Sequence, residues 1–284
     1  MAAQRKKKAV VRVESVAAAT TEAETEATTW KPTPEAKKQA TKLRLIAGAL
    51  WLVAIAAEAF AIFWVLQQSP VNMVLLIILI VVIGALAIGG SLLWKKANRL
   101  DPASRKEPLR FFVQNQLGAI ITMIAFLPLI ILILLNKDMD AKQKGIAGGI
   151  AVAVAAVAAY FGMSFDPPSV EQYTEETNIV QELTGENLVY WTKSGSVFHV
   201  CTEVPDVNRE SQDGQIYEGT VADAHADGKD RLVSYWAREA VNYCGYTQEQ
   251  VDAVTASTSS SDTEDAADPE AETTDGPTDG ATDQ

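Results

Sequence analysis

The stretch VNMVLLIILIVVIGALAIGGSLLW, residues 71–94, contains no charged side chain. A helix needs about 20 apolar residues to cross a hydrocarbon core of about 30 Å, because each residue adds about 1.5 Å. Three further runs reach this length. The sequence therefore predicts a membrane protein with a four-helix transmembrane domain over residues 45–163, whose helices lie at 45–66, 71–94, 117–135 and 145–163.

The parts of the chain outside the apolar runs differ in composition. Residues 1–40 and 253–284 are poor in large apolar side chains, and the second segment has nine acidic residues and no basic one. Such segments cannot offset the entropy of ordering by burial, so we predict a disordered leader and a disordered acidic tail. Residues 164–252 are long enough to bury a core, and we predict a small soluble α+β module there.

Positive charge is concentrated on alternate connections. The flank before the first run and the 94–116 link carry eleven Lys and Arg, whereas the 67–70 and 136–144 links together carry three. Positive residues resist translocation, so the N-terminus is predicted to be cytoplasmic. Four crossings return the C-terminus to the cytoplasm. If 145–163 did not span, the module would be extracytoplasmic.

Charge also limits the class of partner. The chain has a net charge of −12, and residues 164–284 carry five basic against twenty-six acidic residues. This excess argues against nucleic-acid binding by the C-terminal section, because phosphate contacts require a local excess of Lys and Arg. The expected partners are the lipid bilayer and another protein.

Two features within the apolar runs suggest more than anchoring. Glu58 is the one ionisable residue deep within a run, and such a residue is a candidate for transport or proton transfer. We favour a structural Glu58, protonated or hydrogen-bonded, because the other helices offer few polar partners. Gly145 and Gly149 have the G-x-x-x-G spacing that allows close helix contact. Packing within the chain is the favoured interpretation, and homo-oligomer formation through these glycines is the alternative.

Local patterns divide the predicted module into elements. Ser169 opens a capping box for a helix that ends before Gly185, and Thr220 opens another for a short helix ending near Asp227. Residues 188–192 and 197–201 are β-branched and aromatic runs separated by a turn, which predicts a hairpin. Helical spacing of apolar residues predicts a last helix at about 230–243.

All His and Cys residues of the chain fall in this module. Three interpretations stay open for His199, Cys201, His225 and Cys244. They could form a tetrahedral zinc site, although the spacing matches no familiar zinc motif. Cys201 and Cys244 could instead form a disulfide, which needs an oxidising compartment. The third interpretation is two buried thiols and two surface imidazoles.

Four segments carry a resemblance to a known group. Residues 92–102, 110–116, 167–172 and 189–195 resemble uncharacterised multi-pass membrane proteins of corynebacteria and related actinobacteria. The resemblance covers about residues 42–250. It implies a bacterial cell membrane as the location and a protein of the bacterial envelope as the partner, without a known activity. Residues 189–201 are also loosely similar to the start of Ada-like metal-binding modules. Those modules complete their site with a later C-x-x-C, and here only Cys244 follows.

The sequence contains no Walker loop, G-x-G-x-x-G, H-E-x-x-H or G-x-S-x-G motif. We therefore predict a non-enzymatic accessory or scaffold protein that presents its module to a partner. A metal- or redox-sensing protein that uses the His and Cys set is the first alternative. A small transporter or proton-coupled protein that uses Glu58 is the second.

Overall fold

The computed structural model describes residues 8–13, 29–209 and 213–264 of the 284-residue chain. It is mostly helical, with four long apolar helices and a small sheet-containing C-terminal part. The four helices are long and apolar enough to cross a membrane. They are α1 (Pro34–Phe60), α2 (Met73–Leu100), α3 (Pro108–Leu135) and α4 (Ala141–Gly162).

Each helix covers its predicted apolar run closely, but α1, α2 and α3 extend well beyond it at one end of the bundle. Thr33 caps α1 by accepting a hydrogen bond from Ala36 N–H, and α1 ends in a π-helical turn, Ala61–Val65. The additional turns at the start of α1, the end of α2 and the start of α3 carry most of the basic residues of the membrane domain. These turns lie at the same end, which we call the basic end.

The bundle is held by apolar side chains and by close backbone approach. A Cβ atom added at Gly162 would lie 2.7 Å from the carbonyl carbon of Gly118, so α4 and α3 meet here without side chains between them. Gly90 accommodates the Trp51 ring of α1 in the same way. Buried Ser91 and Thr122 donate to carbonyls of their own helices, Ala87 O and Gly118 O. The bundle therefore satisfies these polar groups locally.

The C-terminal module contains short strands and helices. In chain order its elements are β1 (Ala9–Arg12), which comes from the leader, α5 (Val170–Thr184), β2 (Val189–Trp191), β3 (Val197–Phe198), α6 (Pro205–Asn208), β4 (Gln215–Gly219), α7 (Val221–Ala226), β5 (Arg231–Leu232), α8 (Trp236–Asn242) and α9 (Gln248–Glu264). One sheet has the order β1-β4-β2, and β3 and β5 form a second, two-stranded sheet. Trp191 and Phe198 are fully buried in the core.

Two of the predicted helices are confirmed by their caps. Ser169 accepts from Gln172 N–H at the start of α5, and Gly185 ends that helix with φ +80°. Thr220 and Asp223 form the capping box of α7, and Gly228 follows with φ +96°.

The prediction of a disordered leader is wrong for residues 9–12 and 34–40. Strand β1 pairs in parallel with β4, with Ala9 opposite Gln215, and residues from Pro34 onward belong to α1. Unpaired backbone groups at the edge of β4 give this β-branched segment a partner that its local sequence does not reveal. The same prediction for residues 1–7 and 14–28 lies outside the described residues.

The prediction of a disordered tail from residue 253 is also wrong at its start. Helix α9 continues to Glu264, because Val251 and Val254 bury their side chains in the module core. Residues 265–284 lie outside the described part of the chain.

The predicted hairpin and last helix are each only partly correct. The predicted hairpin is reduced to a single antiparallel bridge between Tyr190 of β2 and His199, just after β3, which exchange two backbone hydrogen bonds of 2.8 Å. β3 otherwise pairs with β5, so Arg231 and Leu232 lie in a strand where helical spacing predicted a helix. The last helix begins only at Trp236 because this strand pairing competes with the amphipathic pattern.

Candidate functional site

The module is attached to the basic end of the bundle by side chains of α2 and the α2–α3 link. Arg99 pairs with Asp230 at 3.0 Å, and the Tyr173 hydroxyl donates to Arg99 O at 2.8 Å. The backbone N–H of Val170 donates to Ala103 O, beside a parallel bridge between Ala103 and Ser169. Trp30, just before α1, packs edge-on against the Tyr173 ring at 4.7 Å. We call this contact surface the junction.

Glu171, in the first turn of α5, binds the α2–α3 link to the module. Its carboxylate accepts a hydrogen bond from the Arg105 N–H at 2.8 Å and another from the Ser104 hydroxyl. Burial by itself would raise the pKa of this carboxyl, but the hydrogen bonds outweigh burial and leave the pKa below its usual value. The carboxylate form of Glu171 therefore stabilises the junction.

His225 lies in the module core directly behind Tyr173. The two rings stack at 4.0 Å, and His225 Nε2 lies 2.5 Å from Glu176 Oε2, with both side chains buried. His225 Nδ1 faces Lys229 O at 3.0 Å, so this nitrogen carries a proton that it donates. Glu176 Oε1 also accepts from Leu232 N–H at 3.0 Å. A buried ionic or proton-sharing pair thus links α5, α7 and β5.

His199 forms a second buried pair with a carboxylate. Its Nδ1 lies 2.8 Å from Glu239 Oε2, and both side chains are at most 5% exposed. His199 follows β3 and Glu239 lies on α8, so this pair fixes the helix against the strand. The prediction of two surface imidazoles is therefore wrong for both histidines, because each ring is buried against a glutamate.

Cys201 and Cys244 are joined in a disulfide, with their Cα atoms 5.8 Å apart. The bond connects the segment after β3 to the end of α8, next to the apolar side chains of Val204, Val207 and Ile216. This disulfide is one of the three interpretations that the sequence left open. The interpretation of Cys201 and Cys244 as buried free thiols does not hold in this structure.

The four His and Cys residues do not gather at one point. Within the described ranges, no group of three or more His, Cys, Asp and Glu side chains is placed to hold a metal ion. The imidazoles of His199 and His225 face glutamates, and the two sulfur atoms bond to each other. Zinc binding stays a prediction to which this geometry lends no support.

Lys229 is a buried cation that the sequence did not single out. Its ammonium donates to the carbonyls of Thr192, Lys193 and Gly195 at 2.7–3.2 Å and so holds the turn between β2 and β3. Burial lowers the pKa of Lys229, partly opposed by the carboxylate of Asp227. All three ammonium donors have carbonyl partners, so Lys229 has a structural role.

The local sequence gives only a weak indication of the buried positions of Glu176, Glu239 and Lys229. Glu176 lies three residues after Tyr173 and three before Ile179, on the apolar face of α5, and a carboxylate on such a face needs a partner. The partner is 49 residues away in the chain. Local spacing could therefore identify Glu176 as unusual but could not identify His225 as its partner.

Glu58 faces the interior of the bundle and is 5% exposed. Its Oε1 atom has no hydrogen-bond partner in the described part of the chain, and the buried hydroxyls of Ser91 and Thr122 in the other helices are bonded to carbonyls of their own helices. The structure does not bring a set of ionisable groups to Glu58 within the bundle. Transport through this residue stays a prediction.

Gly145 and Gly149 lie on an open face of α4. Among the described residues, no atom apart from the neighbouring backbone of α4 lies within 4 Å of a Cβ built at either position, so the interpretation that this motif packs against another helix of the described chain is wrong. The close contact of α4 is made by Gly162 instead. Homo-oligomer formation through Gly145 and Gly149 stays a prediction.

These observations define the class of protein. The chain is a membrane protein with four helices able to span a bilayer and an α+β module docked on the basic end of the bundle. Comparison with protein-family models, with curated proteins and with solved structures finds no match.

Proposed function

We propose that the chain is a non-enzymatic accessory protein of a bacterial envelope, whose bundle holds the module against one membrane surface for a protein partner. The observation that supports this role is the junction. A flexibly tethered domain needs no such contacts, whereas Arg99, Glu171 and Tyr173 fix the module in one orientation. A fixed orientation lowers the entropic cost of binding a second membrane-associated protein.

A groove of about 400 Å³ on the module is the proposed contact for that partner. Ile179, Leu232 and Trp236 supply apolar walls. The charged lining residues are Arg105 and Arg231 together with Asp166, Glu175 and Glu176, and Arg231 is paired with Asp166 at 3.5 Å. Aromatic and arginine side chains around an apolar centre are typical of protein interfaces. We expect a partner segment with an apolar anchor.

Site-specific photocrosslinking in cells tests this role. A photoreactive residue replaces Ser234, which is exposed and lines the groove, or Asp252, which is exposed on α9 away from the groove. We expect one defined protein adduct from Ser234 that excess unmodified full-length chain suppresses, and no such adduct from Asp252. Adducts only with lipid or with the chain itself, or turnover of a lipid or peptide by the reconstituted protein, would contradict the proposal.

We further propose that the basic end, the N-terminus and the module face the cytoplasm. The support is the charge difference between the two ends, eleven Lys and Arg against three. Because the module contacts Arg99 and Arg105, it belongs on whichever side the 94–116 link occupies. The disulfide and the charge rule therefore point to opposite compartments for the same end of the bundle.

This conflict favours a second candidate function, a redox-responsive interaction module. If the module is cytoplasmic, the Cys201–Cys244 disulfide would be reduced under ordinary conditions and would form on oxidation. Cells are quenched with acid and then treated with a high-mass maleimide, and the labelled fraction of the chain gives the fraction with free Cys201 and Cys244 thiols. A redox-responsive module gives mostly labelled protein that becomes unlabelled after oxidant. Protein that is unlabelled before and after oxidant would contradict this second candidate.

A further inference from the structure

A crevice of about 270 Å³ lies beside the junction, between the bundle and the module. It is bounded by the end of α2, the start of α3 and the segment that joins α4 to α5. Its lining residues are Lys95, Asn98, Arg99, Asn115, Met163, Ser164, Phe165, Asp166, Pro168 and Asp230.

The crevice lies at the level expected for lipid headgroups. Lys95 immediately follows the apolar run that ends at Trp94, and Met163 immediately follows the end of α4. Tyr160 and Phe165 are 61% and 73% exposed, and their rings contact each other at 5.7 Å next to the crevice. Exposed aromatic rings at the end of a spanning helix mark the interface between hydrocarbon and water.

The charges of the crevice leave one cation without a counter-ion. Asp230 is paired with Arg99 at 3.0 Å, and Asp166 is paired with Arg231 at 3.5 Å. Lys95 donates to the uncharged Met163 O at 2.6 Å, and no ion pair joins it to a carboxylate in the described ranges. An ammonium has three donors, so two stay available for an anion.

Asn98 adds an acceptor to the same crevice. The residue is 2% exposed, its amide nitrogen donates to Gln114 O at 2.9 Å, and its Oδ1 has no partner within the described chain. A buried amide oxygen without a donor is costly. A ligand that presents a hydroxyl or ammonium donor near its anionic group would satisfy Asn98 and Lys95 together.

We propose that this crevice binds the phosphate of a membrane phospholipid whose headgroup carries a hydroxyl donor. Lys95 binds the phosphate, Asn98 Oδ1 accepts from the headgroup, and the lipid chains lie along the apolar surface beside Tyr160. Basic crevices between membrane helices recognise headgroups in this way. The proposal holds for either orientation of the protein and does not depend on the module having a protein partner.

Titration of the purified full-length chain in detergent tests the site. The probes are short-chain phosphatidylglycerol, the matching phosphatidylmethanol without a headgroup hydroxyl, and inorganic phosphate. We expect one phosphatidylglycerol to bind per chain, several-fold more tightly than phosphatidylmethanol. Inorganic phosphate should not compete at equal concentration, because it lacks the acyl chains. Equal competition by inorganic phosphate would overturn the lipid assignment.

Variants at adjacent lysines separate a site from general surface charge. Lys95→Gln should weaken phosphatidylglycerol binding about fivefold, as expected for loss of one cation near a headgroup. Lys96→Gln removes the same charge from an exposed position outside the crevice and should change affinity less than twofold. Lys95→Arg, which preserves the charge, should retain binding and verifies that position 95 tolerates substitution. Equal weakening of phosphatidylglycerol binding by Lys95→Gln and Lys96→Gln would overturn the proposal.

Discussion

The membrane bundle and the C-terminal module are stabilised in different ways. In the bundle, apolar packing and glycine contacts dominate, and Ser91 and Thr122 bond to carbonyls one turn away. In the module, the side chains of Trp191, His199, His225 and Lys229 each form a hydrogen bond with a partner 34 to 49 residues away in the chain. The bundle is thus built from contacts between whole helices, whereas the module depends on a few specific side-chain pairs. Single substitutions should therefore affect the module more strongly than the bundle.

The largest expected effect comes from breaking the buried pair between His225 and Glu176. His225→Leu leaves a buried carboxylate without its partner and should lower the free energy of unfolding of the module by about 3–5 kcal/mol. Hydrogen exchange of the full-length chain in urea, read for peptides of α5 and α7, measures this change.

The double variant with Glu176→Leu is the matched control for that experiment. It removes both partners and should recover part of the lost stability, since no buried charge stays unpaired. A single variant as stable as the unmodified chain would show that the pair contributes little.

Opening the disulfide should have a similar or slightly smaller effect, again confined to the module. The bond closes a loop with a sequence separation of 43 residues. The chain-entropy relation gives about 4 kcal/mol for a loop of this size. Replacing Cys201 and Cys244 with serine should lower module stability by about that amount under oxidising conditions, measured by hydrogen exchange at α8. Equal stability of the variant and the oxidised parent would contradict this estimate.

Substitution of a glycine at a helix contact should lower stability by a smaller amount, and the loss should be in the bundle. Gly162→Ala places a Cβ against the backbone of Gly118 and should destabilise the bundle by about 1–3 kcal/mol. Gly149→Ala meets open space and should leave stability unchanged or raise it by up to about 1 kcal/mol. Thermal unfolding in detergent compares the two. Equal shifts of the midpoint would contradict the contact between α3 and α4.

The smallest effect is expected at the junction and depends on pH. The folded pKa of Glu171 lies below its usual value of 4.5, so its contribution is present above that value and is lost as pH falls through the folded pKa. Because Glu171 is only partly buried and solvent screens its charge, the contribution is below about 1 kcal/mol. Protease protection of the 101–107 link should decrease on acidification in the parent. In Glu171→Gln the protection should be lower at neutral pH and change less with pH.

The same contrast explains what the sequence could predict. The four membrane helices follow from apolar runs, and the caps at Ser169, Thr220 and Gly185 follow from local spacing, so each was predicted from neighbouring residues. The strand β1 could not be predicted, because its partner β4 is about 200 residues away in the chain. For the same reason β5 was predicted as part of a helix.

The candidate site shows the same division. The cysteine pair was among the interpretations because the chain has only two cysteines. The glutamate partners of His199 and His225 were not predicted, because nothing near either histidine in sequence indicates them. The crevice at Lys95 and Asn98 depends on α2, α3 and the α4–α5 segment meeting, which no single segment reveals.

We propose that α4 crosses the membrane and so brings the module to the basic end. The direct test uses three variants, each with one added cysteine: Lys96→Cys, Lys137→Cys and Ser234→Cys. Intact and lysed cells are labelled with a membrane-impermeant maleimide, and peptide mass spectrometry identifies the labelled positions. Lys96 lies at the basic end, Lys137 at the opposite end, and Ser234 on the module, all three exposed. The account predicts that positions 96 and 234 label together and opposite to 137. Labelling of position 234 together with 137 would contradict it.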